Sequence, residues 1–200
     1  MPKKAIPLDY KIICEMVDRG TTVLDLGCGS GELLLLLSEL KNAKGQGIEL
    51  REEAICQCVE KGISVFHGDI ERGLIEYPDK TFDYVILNQS MQEVKNVDYV
   101  VQEALRVGKK IIIGFPNFSF IKSRLRLFFC GKVPVTKSLP YRWYDTPNVH
   151  FLSIKDFRDY CKVKDIDVLS TRCLGKKGKV VFWPNLFALN AVFLLTRNGI

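Results

Sequence analysis

The 200-residue sequence predicts an α/β fold with a doubly wound, parallel sheet. Strand-like and helix-like patterns alternate over the first 116 residues, and a glycine-rich turn joins the first strand to its helix. The strands are short continuous apolar runs, as in sheets covered on both faces. Because crossovers between parallel strands are right-handed, successive helices cover both faces of such a sheet.

The predicted strands are apolar runs bounded by glycine, proline or charged residues. They cover residues 22–26, 45–49, 64–67, 82–87, 110–115, 166–173 and 191–196. The stretch 180–195 is also apolar, but Pro184, Asn185 and Asn190 interrupt it. A membrane-spanning helix needs about 20 mostly apolar residues, so we expect core strands and a loop there.

The predicted helices follow apolar residues spaced three or four apart, and several end at a glycine. They cover residues 8–19, 32–40, 51–61, 97–106 and 154–161, with a further candidate at 119–129. The sequence shows no repeats, no linker and no second domain. We therefore expect one domain over residues 1–200, with a basic and aromatic insertion at about 117–150.

Composition and charge are those of an ordinary soluble protein. The net charge of +6 is concentrated after residue 105 and is too small to indicate nucleic-acid binding by itself. Seven cysteines, an odd number without a C-x-x-C pair, predict reduced thiols and no metal site. The N-terminal residues lack the apolar stretch of a signal peptide, so we expect a cytoplasmic protein.

The strongest local signal is the run from Asp25 to Gly31, between a strand and a helix. Glycines let a ligand approach main-chain N–H groups closely, and the following helix adds a partial positive charge. The dinucleotide pattern G-x-G-x-x-G fails because Glu32 occupies its last position. Asp25 precedes the glycines and could pair with an ammonium group. We therefore predict a ligand with an amino-acid end and a nucleoside end, held by Asp25, Gly27, Cys28, Gly29 and Gly31.

Polar residues also follow the next strands at the same edge of the predicted sheet. Glu49, with Leu50 beside it, ends the second strand and is placed to accept hydrogen bonds from ribose hydroxyls. After the third strand, Asp69 could accept from an adenine amino group, flanked by Gly68 and by Ile70 against the ring. Asn88 ends the fourth strand near the reacting end of such a ligand. Ligands of open α/β sheets bind at this edge.

These motifs resemble two nested families. The run 23–31 (VLDLGCGSG), Glu49 and the run 68–70 (GDI) resemble class I S-adenosylmethionine (SAM)-dependent methyltransferases. The runs 82–92 (FDYVILNQSMQ), 115–118 (FPNF) and 134–150 (PVTKSLPYRWYDTPNVH) resemble the MetW family. Two positions depart from the MetW pattern, which has His where Phe120 stands and commonly Ser where Asn88 stands.

The resemblance carries expectations for fold, ligand and partner. It implies a Rossmann-like, mostly parallel seven-stranded sheet with an antiparallel last strand. It implies binding of SAM, or of its demethylated product S-adenosylhomocysteine, through Asp25, Gly27, Gly29, Glu49 and Asp69. MetW proteins are associated with methionine biosynthesis, where they support homoserine O-acetyltransferase (MetX). We expect that enzyme to be the partner.

The insertion at about 117–150 combines cations with aromatic rings. Its basic residues are Lys122, Arg124, Arg126, Lys132, Lys137 and Arg142, and its aromatic residues are Phe118, Phe120, Phe128, Phe129, Tyr141, Trp143 and Tyr144. Long excursions in compact domains are usually functional. This one could cap the ligand site, dock another protein, bind nucleic acid or serve structure alone. Within it, Ile121, Leu125 and Phe128 would form one apolar helix face.

Nucleic acid is the weakest of these alternatives, because Asn88 to Met91 lacks the prolines and stacking aromatic of exocyclic-amine methylases. Methyl transfer needs a base only if the acceptor must lose a proton. Candidates are His150, Tyr144, Tyr141 and Asp145. The sequence leaves open whether the chain is a SAM-binding accessory protein or a methyltransferase acting on a small carboxylate or hydroxyl compound.

Overall fold

The computed structural model describes residues 6–72, 74–136, 138–176 and 178–197, so Lys137 lies outside the described residues. Its centre is one seven-stranded sheet with the order β3-β2-β1-β4-β5-β7-β6. The strands are β1 (Thr22–Leu26), β2 (Lys44–Glu49), β3 (Ser64–His67), β4 (Phe82–Asn88), β5 (Gly108–Pro116), β6 (Asp167–Leu174) and β7 (Asn190–Thr196).

The strand pairing confirms the doubly wound fold. β1 pairs in parallel with β2 on one side and with β4 on the other. The strand order therefore reverses between β1 and β4, and this position is the topological switch point of the sheet. β7 is antiparallel to both of its neighbours, β5 and β6. Asp25 aligns with Gly47 and Ile86, and Asn88 aligns with Gly114. The polar strand ends are therefore gathered at one edge of the sheet.

Helices cover both faces of this sheet. They are α1 (Leu8–Met16), α2 (Glu32–Lys41), α3 (Glu52–Glu60), α4 (Val97–Val107), α5 (Ile121–Cys130), α6 (Ile154–Val163) and α7 (Pro184–Phe187). One buried cluster joins the sheet to α4 and α6, and another joins it to α1 and α2. α5 belongs to neither cluster.

Two predicted elements are wrong in detail. The first helix ends at Met16, not at residue 19, because Val17 turns to an extended conformation that buries its side chain. The apolar stretch 180–195 holds one strand, β7, and not several. It is preceded by α7, which begins at Pro184, a residue suited to the first position of a helix.

Candidate functional site

The glycine loop between β1 and α2 depends on backbone conformations that glycine adopts at low cost. Gly27 and Gly31 have φ values of +76° and +73°. A Cβ on Gly27 would lie 2.9 Å from Ser90 Cβ, and one on Gly31 would lie 2.5 Å from Ile63 Cδ1. The backbone conformation therefore disfavours larger residues at both positions, and at Gly27 the contact with Ser90 Cβ disfavours them as well.

Glu49 at the end of β2 orders this loop. Its Oε2 accepts the Gly29 N–H at 2.8 Å, while Oε1 accepts the N–H groups of Leu50 and Arg51 at 3.1 and 3.0 Å. The Arg51 guanidinium adds an ion pair at 3.3 Å. Three of these four contacts fall on Oε1, so Oε2, with two acceptor positions and one donor, keeps one position for a ligand hydroxyl. Sequence reasoning found Glu49 but missed its bond to the loop.

Asp25 lies beneath the loop and is almost fully buried, with 3% of its surface exposed. Burial, reinforced by the negative charge of Glu49, raises the pKa of its carboxyl from 3.8 to about 7. A buried carboxyl that titrates near neutrality is typical of functional sites. A cationic ligand group beside it would favour the ionised form.

Cys28 places a thiol within the loop. Its Sγ lies 3.8 Å from the Gly29 carbonyl oxygen, and Cys58 Sγ of α3 lies 3.2 Å from the same oxygen. Burial raises the pKa of both thiols. These are packing cysteines in the neutral form, and they join the loop to α3.

The first turn of α1 reaches the site, which sequence reasoning missed. Asp9 Oδ2 accepts a hydrogen bond from Asn88 Nδ2 at 3.0 Å, across 79 positions. Burial, reinforced by the charge of Asp25, raises the pKa of Tyr10 to about 12. Asn88 Oδ1 is buried and has no hydrogen-bond partner among the described residues. An acid in the first turn of a helix is common for electrostatic reasons, so Asp9 carried no distinctive signal.

The remaining predicted ligand residues lie beside Glu49. The Gly68 N–H donates to the Glu49 carbonyl at 3.1 Å, which places 68–70 next to the end of β2. Asp69 is exposed, and its Oδ1 accepts the Glu71 N–H at 2.9 Å. Ile70 packs against the core, and Leu50 is exposed. The roles of these residues toward a nucleoside stay predictions.

The connection after β4 links the glycine loop to the insertion. Ser90 Oγ donates to the Leu26 carbonyl at 2.7 Å. The Gln92 carbonyl accepts the N–H groups of Val149 and His150 at 2.9 and 3.1 Å. Residues 149–150 are therefore fastened to the β4–α4 connection.

The four predicted catalytic residues fall into two groups. The His150 ring contacts the Lys95 carbonyl at 3.2 Å and lines a cavity of about 230 Å³ shared with Gln92. Tyr141, Tyr144 and Asp145 lie in an exposed turn, where Arg142 donates to Tyr144 Oη at 2.8 Å and to Asp145 Oδ1 at 2.6 Å. Catalytic roles for all four stay predictions.

Among the described residues, no group of three or more His, Cys, Asp or Glu side chains could hold a metal ion. Within the same ranges, no helix has the length and apolarity to cross a bilayer.

The sheet order, the glycine loop and the acid ending β2 define the class I SAM-dependent methyltransferase fold. A SAM-dependent methyltransferase from Archaeoglobus fulgidus shares it, with a TM-score of 0.68 and 17% identity over 95% of this chain and 91% of that one. The family model described as methionine biosynthesis protein MetW matches residues 7–195. The chain therefore belongs to the MetW family, as its motifs predicted.

Two relatives connect this family to named proteins. The chain is 37% identical over 205 residues to the bifunctional methionine biosynthesis protein MetXA/MetW of Rhodopirellula baltica. The match covers 96% of this chain but 33% of that protein, so the chain spans about a third of this relative's length. It is also 30% identical to a demethylmenaquinone methyltransferase of Shouchella clausii, over 77% of this chain and 75% of that protein.

Proposed function

We propose that this chain is a SAM-binding accessory protein of methionine biosynthesis that supports or regulates homoserine O-acetyltransferase. The observation that carries this proposal is the similarity to a bifunctional protein named for both MetXA and MetW. That relative carries both names on one chain. Two proteins that are fused in one organism are expected to work together where they are separate chains. SAM is made from methionine, so a SAM-dependent partner would report the output of the pathway.

The residues of the site suit SAM better than a dinucleotide. SAM carries a sulfonium and an ammonium group, and the buried Asp25 together with Asp9 provides negative charge for them. The same charge would repel a pyrophosphate. The orphaned Asn88 Oδ1 is free to accept a hydrogen bond from a ligand N–H. Glu49 would accept from a ribose hydroxyl through its Oε2, which receives only the Gly29 N–H among the described residues.

Calorimetric titration with SAM tests the ligand. We expect Glu49→Ala to weaken binding at least tenfold, because charge-assisted hydrogen bonds are each worth about 1.5–3 kcal/mol. Glu52→Ala, an exposed acid in the first turn of α3, is the matched control and should leave binding unchanged. Equal losses in both variants, or no heat with the wild-type chain, would contradict the assignment.

Steady-state kinetics test the accessory role. The rate of the homoserine O-acetyltransferase of the same organism is measured alone and with equimolar chain, at zero and saturating SAM. We expect the chain to change this rate and SAM to modulate the change. An identical rate in all mixtures would end the accessory proposal and leave SAM binding standing.

A second candidate function is methyl transfer to a small molecule. The similarity to a demethylmenaquinone methyltransferase favours it. The sulfonium of SAM would supply the electrophilic methyl group, while the protein would orient the acceptor and, where needed, take its proton. His150, Tyr141, Tyr144 and Asp145 are the candidates for that second task.

The test uses SAM with a labelled methyl group, incubated with the chain and either small-molecule extract or a demethylmenaquinone. A labelled product that His150→Ala reduces would favour an enzyme. No labelled product from either acceptor source would remove this candidate.

A further inference from the structure

α5 is the one helix of ten residues or more in the described part of the chain that buries almost none of its surface. Ser123 is its single buried residue. Phe128 and Phe129 are 82% and 74% exposed, and Leu125 and Leu127 are also exposed. The predicted apolar face of this helix exists, but it points away from the domain. Contiguous apolar surface of this kind marks interaction sites in soluble proteins.

Two further groups of exposed aromatic rings lie on either side of α5. A cavity of about 580 Å³ is lined by Arg126 of α5 together with Trp143 and Tyr144. Another, of about 510 Å³, is lined by Arg124 of α5 together with Trp183. Because α5 contributes an arginine to each groove, the two groups flank its exposed side chains and form one composite surface with them. We call it the α5 face, defined by Leu125, Phe128, Phe129, Trp143, Tyr144, Phe182 and Trp183.

The ring of Trp183 is held outward by its backbone. This residue has a φ of +41°, uncommon for a large side chain, and its carbonyl accepts the N–H groups of Leu186 and Phe187. Phe182 and Trp183 stack with their ring centroids 5.2 Å apart. The 182–187 turn thus presents rigid aromatic surface, the kind of anchor that dominates protein interfaces.

The rim of the α5 face is basic. Three cavities beside α5 have volumes of about 510, 480 and 580 Å³, and none of their described lining residues is Asp or Glu. Their basic lining residues are Lys122, Arg124, Arg126, Lys132, Arg142, Lys155, Arg158 and Lys176. A second copy of this face would bring like charges together. Complementary charge calls for a partner surface with an apolar centre and an acidic rim.

We propose that the α5 face docks an acidic-rimmed, apolar-centred surface of homoserine O-acetyltransferase. The proposal rests on the proposed function for the identity of the partner. Concave grooves flank α5 and accept side chains of a folded protein, whereas a bilayer would present a flat surface. The described hydrogen bonds that order the glycine loop come from Glu49, Cys58 and Ser90, which are not among the residues that define the α5 face.

Calorimetry with the acetyltransferase of the same organism tests the proposal. Three variants probe the face: Phe128→Ala with Phe129→Ala, Trp183→Ala, and the charge reversal Arg126→Glu. Each alters exposed side chains, so folding should be retained, and thermal unfolding verifies it. Phe66→Ala on β3, at the opposite edge of the sheet, and Lys162→Glu at the far end of α6 are the matched controls.

We expect each face variant to weaken binding by roughly tenfold or more, as for interface anchors, and each control to stay within about twofold of the wild-type chain. Wild-type binding that survives all three variants would overturn the location of the surface while leaving the accessory role intact. No binding by the wild-type chain would overturn both. Self-association, or binding to phosphatidylglycerol vesicles, that the same variants abolish would assign the face to a second copy or to a lipid surface instead.

Discussion

The glycine-loop site and the α5 face differ in charge, burial and role. Residues 1–105 contain 11 basic and 18 acidic residues, whereas residues 106–200 contain 18 basic and 5 acidic residues, giving net charges of −7 and +13. At the loop the decisive carboxyls, Asp25 and Glu49, are buried among packed elements. On the α5 face the cations and rings are exposed. Buried carboxyls suit the selective binding of a small cationic ligand, and exposed cations and rings suit the binding of a protein partner.

The two regions also differ in what they contribute to the fold. The loop is bound to β2, to α3 and to the β4–α4 connection by hydrogen bonds over long sequence separations. α5 lies outside both buried clusters. A substitution at the loop should therefore affect stability and ligand together, while one on the α5 face should affect only a partner.

A Phe→Ala substitution made once in the core and once on the α5 face should give the largest difference, measured as the change in the free energy of unfolding. Phe157 of α6 is 2% exposed and packs against Phe115 and Phe193, with ring centroids 5.0 and 4.9 Å away. We expect Phe157→Ala to lower the free energy of unfolding by about 3–5 kcal/mol. Phe128→Ala should change it by less than about 0.5 kcal/mol. Urea denaturation measures both, and a large loss at Phe128 would show that α5 belongs to the core.

Asp25 gives the site a pH signature. Between its unfolded pKa of 3.8 and its folded pKa of about 7, the folded protein retains a proton that the unfolded chain has lost. The free energy of unfolding therefore falls as pH rises through this window and is level above it. At 1.36 kcal/mol per pKa unit the loss reaches about 4 kcal/mol. Relative to the wild-type chain, Asp25→Asn should gain stability progressively from pH 4 to pH 8.

Asp83 serves as a control for the titration of Asp25, because its pKa is lowered in the folded protein and that of Asp25 is raised. The Lys109 ammonium and the Thr22 N–H lower the pKa of Asp83 to about 2, so its stabilisation is present above its unfolded pKa and is lost as pH falls toward 2. Asp83→Asn should therefore cost stability at neutral pH and cost less under acid conditions. Parallel pH profiles for the two variants would contradict both assignments.

Two Gly→Ala variants separate the stability cost of backbone strain from the loss of ligand binding. Gly20 and Gly27 both have positive φ, at +72° and +76°, but an added Cβ meets nothing within 4 Å at Gly20. Both Gly→Ala variants should lose roughly 1–2 kcal/mol of stability from the left-handed conformation, and Gly27→Ala should lose more because its Cβ would lie 2.9 Å from Ser90 Cβ. Only Gly27→Ala, with its contact to Ser90, should also weaken SAM binding, by about 100-fold. Similar affinities in the two variants would mean that the loop does not contact the ligand.

Among these tests, ionic strength should produce the smallest difference in behaviour between the glycine-loop site and the α5 face. The carboxyls at the loop are buried and poorly screened, so SAM affinity should change less than about twofold between 50 and 300 mM NaCl. Affinity for the acetyltransferase should fall several-fold over the same range, because the rim of the α5 face is exposed. Titrations at both salt concentrations measure this, and a salt-insensitive complex would remove charge complementarity from the docking proposal.

Local patterns were sufficient for the fold and the family. The apolar runs of β1, β4 and β5, the glycine loop and the long motif at 134–150 lie in contiguous sequence. Their backbone preferences are expressed without reference to distant residues. The strand alternation then implied the doubly wound sheet, and the structure confirms it. It also confirms the candidate helix at 119–129, which is α5 at Ile121–Cys130.

Tertiary structure alone decided the contacts that make the site and the surface. The bonds from Glu49 to Gly29 and from Asp9 to Asn88 span 20 and 79 positions, and sequence spacing does not encode them. The apolar face of α5 was readable from its residues, but its exposure was not, because a helical period shows which side chains share a face and not what covers it. What the sequence determined is thus the set of elements and their order. Which groups meet, and which stay uncovered, depended on the packing of the whole chain.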